Sequence, residues 1–331
     1  MSRPPRQGRE HWGAQLLADL VATVRILALA LCGLGSLAAT AMAAPACPPP
    51  PPTATAQALK AAPRDRGLLW RATREGRSSY LFGTLHVGKP EWRRLGPKTA
   101  AALRQADVLA LEIDIQDPGV TEALARPRPA ARLPEALQQR LLKALKQACV
   151  PAESMGELHA VWQVTYLSVL EARWLGMDPA FAQEQLLAAQ ARRQGLPVVS
   201  LETVATQTQA LVPEAEADSN QLVAQALQQL EDHSGRRVLR RLARVWETGD
   251  VAALEDYERW CECGADTSDR AFMRRLNDDR NPRLADGIEA RHAQGQRVFA
   301  AVGALHMTGP LALPRLLRER GFVVERIRWR H

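Results

Sequence analysis

The 331-residue chain is poor in aromatic side chains: eight Trp, three Tyr and five Phe, 5% of the sequence. That scarcity argues against a nucleic-acid surface, which interleaves basic side chains with stacking rings. The net charge of +7 does not reverse the argument, because the arginines are scattered along amphipathic segments and form no stripe. No nucleic-acid partner is expected. Also missing are a G-x-S-x-G elbow, an H-E-x-x-H pair, a P-loop and a dinucleotide-binding glycine fingerprint. These absences remove the familiar serine-hydrolase, zincin, nucleoside-triphosphate and nicotinamide chemistries, and no organic cofactor is expected. With 46% hydrophobic residues the chain has ample material for a core.

The first residues read as a targeting segment. Arg3, Arg6, Arg9 and Arg25 precede an apolar stretch from Ile26 to Ala43 that ends in Ala41-Met42-Ala43, the A-x-A form of a signal peptidase site. Residues 1–43 are therefore expected to be a signal peptide, or an uncleaved anchor that would be the chain's only membrane attachment. Cys32 and Cys47 lack a lipobox. The proline run after Cys47 predicts an extended, disordered linker over 44–65 and a folded domain over 66–331. Export places the protein in the periplasm or another extracytoplasmic space. In an oxidising compartment two of Cys149, Cys261 and Cys263 are expected to pair, with Cys149 joined to Cys261 or Cys263. Cys-Glu-Cys as half of a metal site is the weaker reading, since no second pair accompanies it.

Hydrophobic periodicity predicts two strands around a turn at Glu75-Gly76, a helix over Pro97–Ala106 and a buried strand over Asp107–Ile115. The middle is helix-rich. Arg132–Ala148 places Leu137, Leu141, Leu142 and Leu145 on one face, and Gly156–Gly176 and Asp178–Gly195 continue as helices. A strand over Leu196–Glu202, helices within Ser219–Ala293 and a terminal β-α-β segment complete the chain. The expected class is α/β, with a central mixed, largely parallel sheet surrounded by helices.

Two strand-like runs end alike, in Gly83-x-x-His86 and Gly303-x-x-His306. A strand running into Gly-x-x-His delivers an imidazole just past its C-terminal edge, where open α/β sheets bind ligands. The glycine allows a sharp turn or a close approach. Two such strands in one sheet would converge two imidazoles, a donor set suited to a divalent transition metal or to general base work. Glu112 and Glu202 end neighbouring strand-like runs and complete a possible hydrolytic site. On spacing alone, a hydrogen-bonded packing role for each histidine stays open. His11, His159, His233, His292 and His331 fall in helical patterns, tails or polar stretches and read as structural.

The segments "LFGTLHVGKPEW", "LALEIDI", "GMDPAFAQEQ", "LPVVSLETVATQTQAL", "VWETGDVAAL", "RNPRLADGIEA" and "FAAVGALHMTGPLALPRLLRERGF" occur in an order that resembles the TraB/GumN family, over roughly Leu68–Arg328. That family includes pheromone-shutdown proteins and the animal Tiki metallopeptidases. The resemblance implies a fold of the erythromycin-esterase/ChaN-like group. It implies His86, His306 and Glu202 as metal ligands, Glu112 and Arg280 as catalytic residues, and Gly83 and Gly303 as site backbone. The implied metal is Mn or Co rather than Zn, and the implied reaction is cleavage of a peptide or other amide, with a peptide or envelope-derived substrate. The resemblance also places Asn281 beside Arg280, and a Gly-x-Asp at Gly176 and Asp178. Thr206 departs from the pattern, standing where many members carry a second acid. A non-catalytic protein that sequesters a peptide, a polymer or a metal complex is the alternative, and a partner in polysaccharide export is a third reading.

Overall fold

The structure, a computed structural model, describes residues 47–125, 133–156, 158–261, 263 and 267–329. The expected signal peptide lies outside the described residues. Six strands form one sheet: β1 (Leu68–Arg74), β2 (Arg77–Thr84), β3 (Val108–Leu111), β4 (Val198–Ser200), β5 (Val298–Gly303) and β6 (Val323–Ile327). Their order is β4-β3-β5-β2-β1-β6. β1 runs antiparallel to both neighbours, and the other strands run parallel to one another. The sheet is thus mixed, largely parallel and flanked by helices.

β1 and β2 form a hairpin in which Arg74 pairs with Arg77, and the two-residue loop Glu75-Gly76 has φ of 52° and 74°. Positive φ at both positions marks the turn that matches strand twist. β3 and β5 are buried on both faces, as parallel strands between helical layers must be. β3 is shorter than the run read from sequence, so Glu112 lies one residue beyond the strand end. The segment 156–176 holds the helix Ala160–Leu170 and a 3-10 turn, and the helix after Asp178 begins at Gln183.

Two cores result. The larger one lies against the sheet. The second joins helices Glu135–Gln147, Ala160–Leu170 and Glu216–Glu231 through Leu141, Leu145, Val161, Val164, Val223 and Leu227. Leu142, expected on the buried face, is 45% exposed.

The cysteine pairing needs correction. Cys149 is bonded to Cys47, and Cys261 to Cys263. Cys149 therefore ties the helical middle to the proline-rich segment, not to the later helices. Within that segment, read as a disordered linker, Ala56–Lys60 is helical under a Thr55 cap. Asp65 is buried and accepts hydrogen bonds from the backbone N–H groups of Lys98 and Thr99. Among the described residues no helix is long and apolar enough to cross a membrane.

Candidate functional site

β2 and β5 are adjacent, and the chain leaves them in opposite directions, toward β3 on one side and β6 on the other. Such a switch point opens a crevice at the C-terminal strand edge. Both Gly-x-x-His motifs end there. They are staggered by one residue: Gly83 pairs with Val302, and Thr84 with Gly303.

Neither glycine is there for positive φ; each makes room. A Cβ on Gly83 would lie 3.1 Å from the Ala304 Cα and 3.3 Å from Leu68. The Gly83 carbonyl accepts a 2.7 Å hydrogen bond from Trp246 Nε1, which fixes the strand end against the helix Ser234–Thr248. A Cβ on Gly303 would lie 3.2 Å from Glu112 Oε1, the atom that accepts a 2.6 Å hydrogen bond from the Gly303 N–H.

His306 is 2% exposed. Its Nδ1 lies 2.6 Å from Asn281 Oδ1, while Asn281 Nδ2 donates to the Leu311 carbonyl at 2.9 Å. The Leu311 contact orients the amide so that its oxygen faces the ring, and Nδ1 therefore carries the proton. In a neutral imidazole Nε2 is then a bare lone pair. Burial lowers the His306 pKa to about 4, against the pull of Glu112, so the ring is neutral at pH 7. Nε2 lies 3.6 Å from Glu112 Oε1. Two electron-pair donors face one another with no proton to share.

His86 is the open member of the pair, its side chain 69% exposed. Its Nδ1 lies 3.0 Å from Glu184 Oε1, which also accepts from the Thr84 hydroxyl at 2.5 Å. The attraction of Glu184 raises the His86 pKa to about 9, although water at the exposed face screens part of that attraction. Glu184 sits in the first turn of the helix Gln183–Arg193, whose start is docked by hydrogen bonds between Gln183 and the Leu85 backbone. Glu184 Oε2 is buried and has no hydrogen-bond partner among the described residues. Burial works to raise the Glu112 pKa; His306 where it is protonated, Arg280, His86 and the Gly303 N–H outweigh it and hold the carboxyl well below its usual range.

Arg280 bridges the two strand-end carboxylates. It donates from Nε to Glu202 Oε1 at 2.9 Å, from Nη2 to Glu202 Oε2, and from Nη2 to Glu112 Oε2 at 2.5 Å. Nη1 donates to the Leu276 carbonyl at 2.9 Å. Glu202 therefore has both oxygens on the guanidinium, and Gln207 Nε2 lies 3.4 Å from each carboxylate. Thr206 completes a reciprocal capping box with Thr203.

Sequence reasoning missed Glu184 as the partner of His86 and Asn281 as the holder of His306. Its attention in "GMDPAFAQEQ" went to Gly176 and Asp178. Gly176 is a left-handed helix cap, and Asp178 is paired with Arg173 at 2.7 Å. The remaining described histidines are structural. His159 caps a helix, His292 bridges Ser79 and the Arg74 carbonyl, and His233 lies beside Glu171. His11 and His331 lie outside the described residues.

The donor chemistry at Nε2 of His306 and Oε1 of Glu112 fits a cation. Glu202, saturated by Arg280, does not fit as a ligand. Among the described residues no three His, Cys, Asp or Glu side chains are gathered closely enough to hold a metal as they stand.

Comparison with protein families matches residues 68–326 to the TraB/PrgY/gumN family. Two curated relatives are each described as "Uncharacterized protein YbaP", one from Shigella flexneri and one from Escherichia coli (strain K12). Each is 26% identical over 262 residues, covering 73% of this chain and 88% of the relative. No solved structure matches. The chain belongs to the TraB/PrgY/gumN family.

Proposed function

We propose that this member of the TraB/PrgY/gumN family is an exported, divalent-metal-dependent hydrolase that cleaves a peptide or other amide bond. One observation carries the reading: Asn281 fixes His306 as the tautomer whose Nε2 lone pair faces Glu112 Oε1 at 3.6 Å. That is a ligand pair waiting for a shared cation, preferably Mn or Co. A bound ion there would polarise the scissile carbonyl and lower the pKa of water.

The chain's own residues supply the rest. His306 and Glu112 would hold the ion, and His86, which lies beside Glu184 on the open side, would join them only on losing its proton. Glu184 fixes the His86 ring through Nδ1. Arg280 keeps Glu112 ionised, and Glu202 keeps Arg280 in place as a positioning residue. The two disulfides support an oxidising, extracytoplasmic location.

A second reading, a non-catalytic binder, draws on Arg280: its guanidinium already occupies both Glu202 oxygens and one Glu112 oxygen. Metal content and peptide cleavage, measured on the mature protein beside a His86→Ala, His306→Ala variant, separate the two. Stoichiometric Mn or Co and cleavage, both lost in the variant, support the hydrolase. A folded wild type that takes up no metal after reconstitution removes the metal mechanism and leaves the binder.

A further inference from the structure

Behind the Arg280 clamp lies a cavity of about 200 Å³ lined by Glu202, Thr206, Gln209, Arg275, Arg280 and Arg283. Its charges are unevenly answered. Glu202 is taken by Arg280. Asp279, which also lines the cavity, lies 3.5 Å from Arg274. Arg275 has no carboxylate partner among the described residues. Its Nε donates to the Ala210 carbonyl at 2.9 Å, and its buried Nη2 has no hydrogen-bond partner among the described residues. A buried guanidinium N–H without an acceptor is costly, and Arg275 lines the cavity with its charge uncompensated by a carboxylate among the described residues. Arg283 is exposed and forms no ion pair among the described residues.

A wider cleft of about 530 Å³ adjoins along the helix Val204–Leu211 and shares Gln209 with the first. Val204, Ala205, Val212 and Pro213 make its lining largely apolar, with Thr208 and Glu214 beside them. A cationic pocket that shares Gln209 with an apolar cleft matches a peptide end: a carboxylate in the pocket and an apolar side chain in the cleft. A guanidinium fork suits a planar carboxylate.

We propose that Arg275 and Arg283 form a carboxylate subsite that anchors a peptide ligand by its C-terminus, with the apolar side chain of the terminal residue in the adjoining cleft. This rests on the hydrolase reading only in taking the ligand to be a peptide. Because Glu202 and Arg280 belong to both the subsite and the strand-end cluster, the anchored end lies next to the proposed reaction centre.

The test is binding rather than turnover. Mature protein treated with EDTA is titrated calorimetrically with acetyl-Ala-Ala-Leu as the free acid and as its C-terminal amide. The free acid should bind about ten- to a hundredfold more tightly, the range for hydrogen bonds to charged groups. Arg283→Gln, at an exposed position that should leave the fold intact, and Arg275→Gln should each bring the acid close to the amide without weakening the amide. Equal binding of acid and amide by the wild type, or no binding of the acid at about 10 mM, overturns the subsite. Absence of metal or cleavage would instead sink the hydrolase reading and leave this result intact.

Discussion

Arg280 and Glu202 are joined twice, Nε to Oε1 at 2.9 Å and Nη2 to Oε2, and the same Nη2 reaches Glu112. Removing one member of a buried ion cluster leaves the others without compensation. Arg280→Met should therefore destabilise the protein by about 3–5 kcal/mol. Glu202→Gln, which keeps one acceptor and leaves Glu112 to balance Arg280, should cost less. Urea midpoints of the two variants at pH 7 test the order, and the reverse order would show that Glu202, not Arg280, is the central charge.

The buried neutral His306 gives acid sensitivity. Its folded pKa, about 4, lies below the ordinary histidine value of 6.5. The resulting stability is fully present above pH 6.5 and is lost as pH falls through 4. The total is about 3 kcal/mol, from 1.36 kcal/mol per unit. His306→Gln should flatten the fall in stability between pH 6.5 and 4 relative to wild type, in metal-free protein. Parallel curves for the two proteins would mean that His306 is not the group that protonates.

His86 acts in the opposite sense. Its pKa is raised from 6.5 to about 9 beside Glu184. The stabilisation is present below pH 6.5 and disappears as pH rises through 9, reduced by exposure of the ring. His86→Gln should remove a slope in stability between pH 6.5 and 9, and Glu184→Gln should bring the His86 titration, followed by NMR, back toward its ordinary value. An unchanged titration in Glu184→Gln would assign the shift elsewhere.

Two alanine substitutions separate packing from site geometry. Gly83→Ala presses a methyl against the Ala304 backbone and should cost about 1–3 kcal/mol, as overpacking does. Gly303→Ala meets a carboxylate oxygen instead, so its effect should fall mainly on the Glu112 hydrogen bond and on metal affinity. Thermal melts with and without Mn distinguish the two. Equal loss of metal response in both variants would contradict the assignment.

The two disulfides should differ in worth. Cys47 and Cys149 are 102 residues apart, whereas Cys261 and Cys263 are separated by two. By loop-closure entropy the Cys47→Ser, Cys149→Ser variant should lose up to about 5 kcal/mol, and the Cys261→Ser, Cys263→Ser variant about 1–2 kcal/mol. Denaturation of each double variant measures the difference.

Much of this was readable in the chain before folding was considered. Two apolar runs ending in Gly-x-x-His implied two similar strand ends in one sheet, and β2 and β5 are neighbours. The one-residue stagger between them was not readable, because register depends on how Gly83 packs on Ala304. Glu184 escaped because a lone acid in a helix's first turn is common, and its meaning comes from the docking of Gln183 on Leu85. Asn281 looked like a companion of Arg280, yet its side chain turns the other way, to His306 and Leu311. Cysteine spacing does not determine connectivity, and the partner of Cys149 lay in a segment that composition marked as a tail.

The placement of β5 has a consequence for how the protein is made. β5 lies between β3 and β2, yet it is drawn from Val298–Gly303, near the end of the chain. As the polypeptide emerges, the β1–β2 hairpin and β3 wait with open edges for most of synthesis. Their apolar, unpaired rims are the kind of surface on which nascent chains aggregate. The sheet closes only when the last tenth of the chain arrives, so a fragment that stops before β5 carries His86, Glu112 and Arg280 without His306, and a chain that stalls there is a substrate for chaperones and proteases.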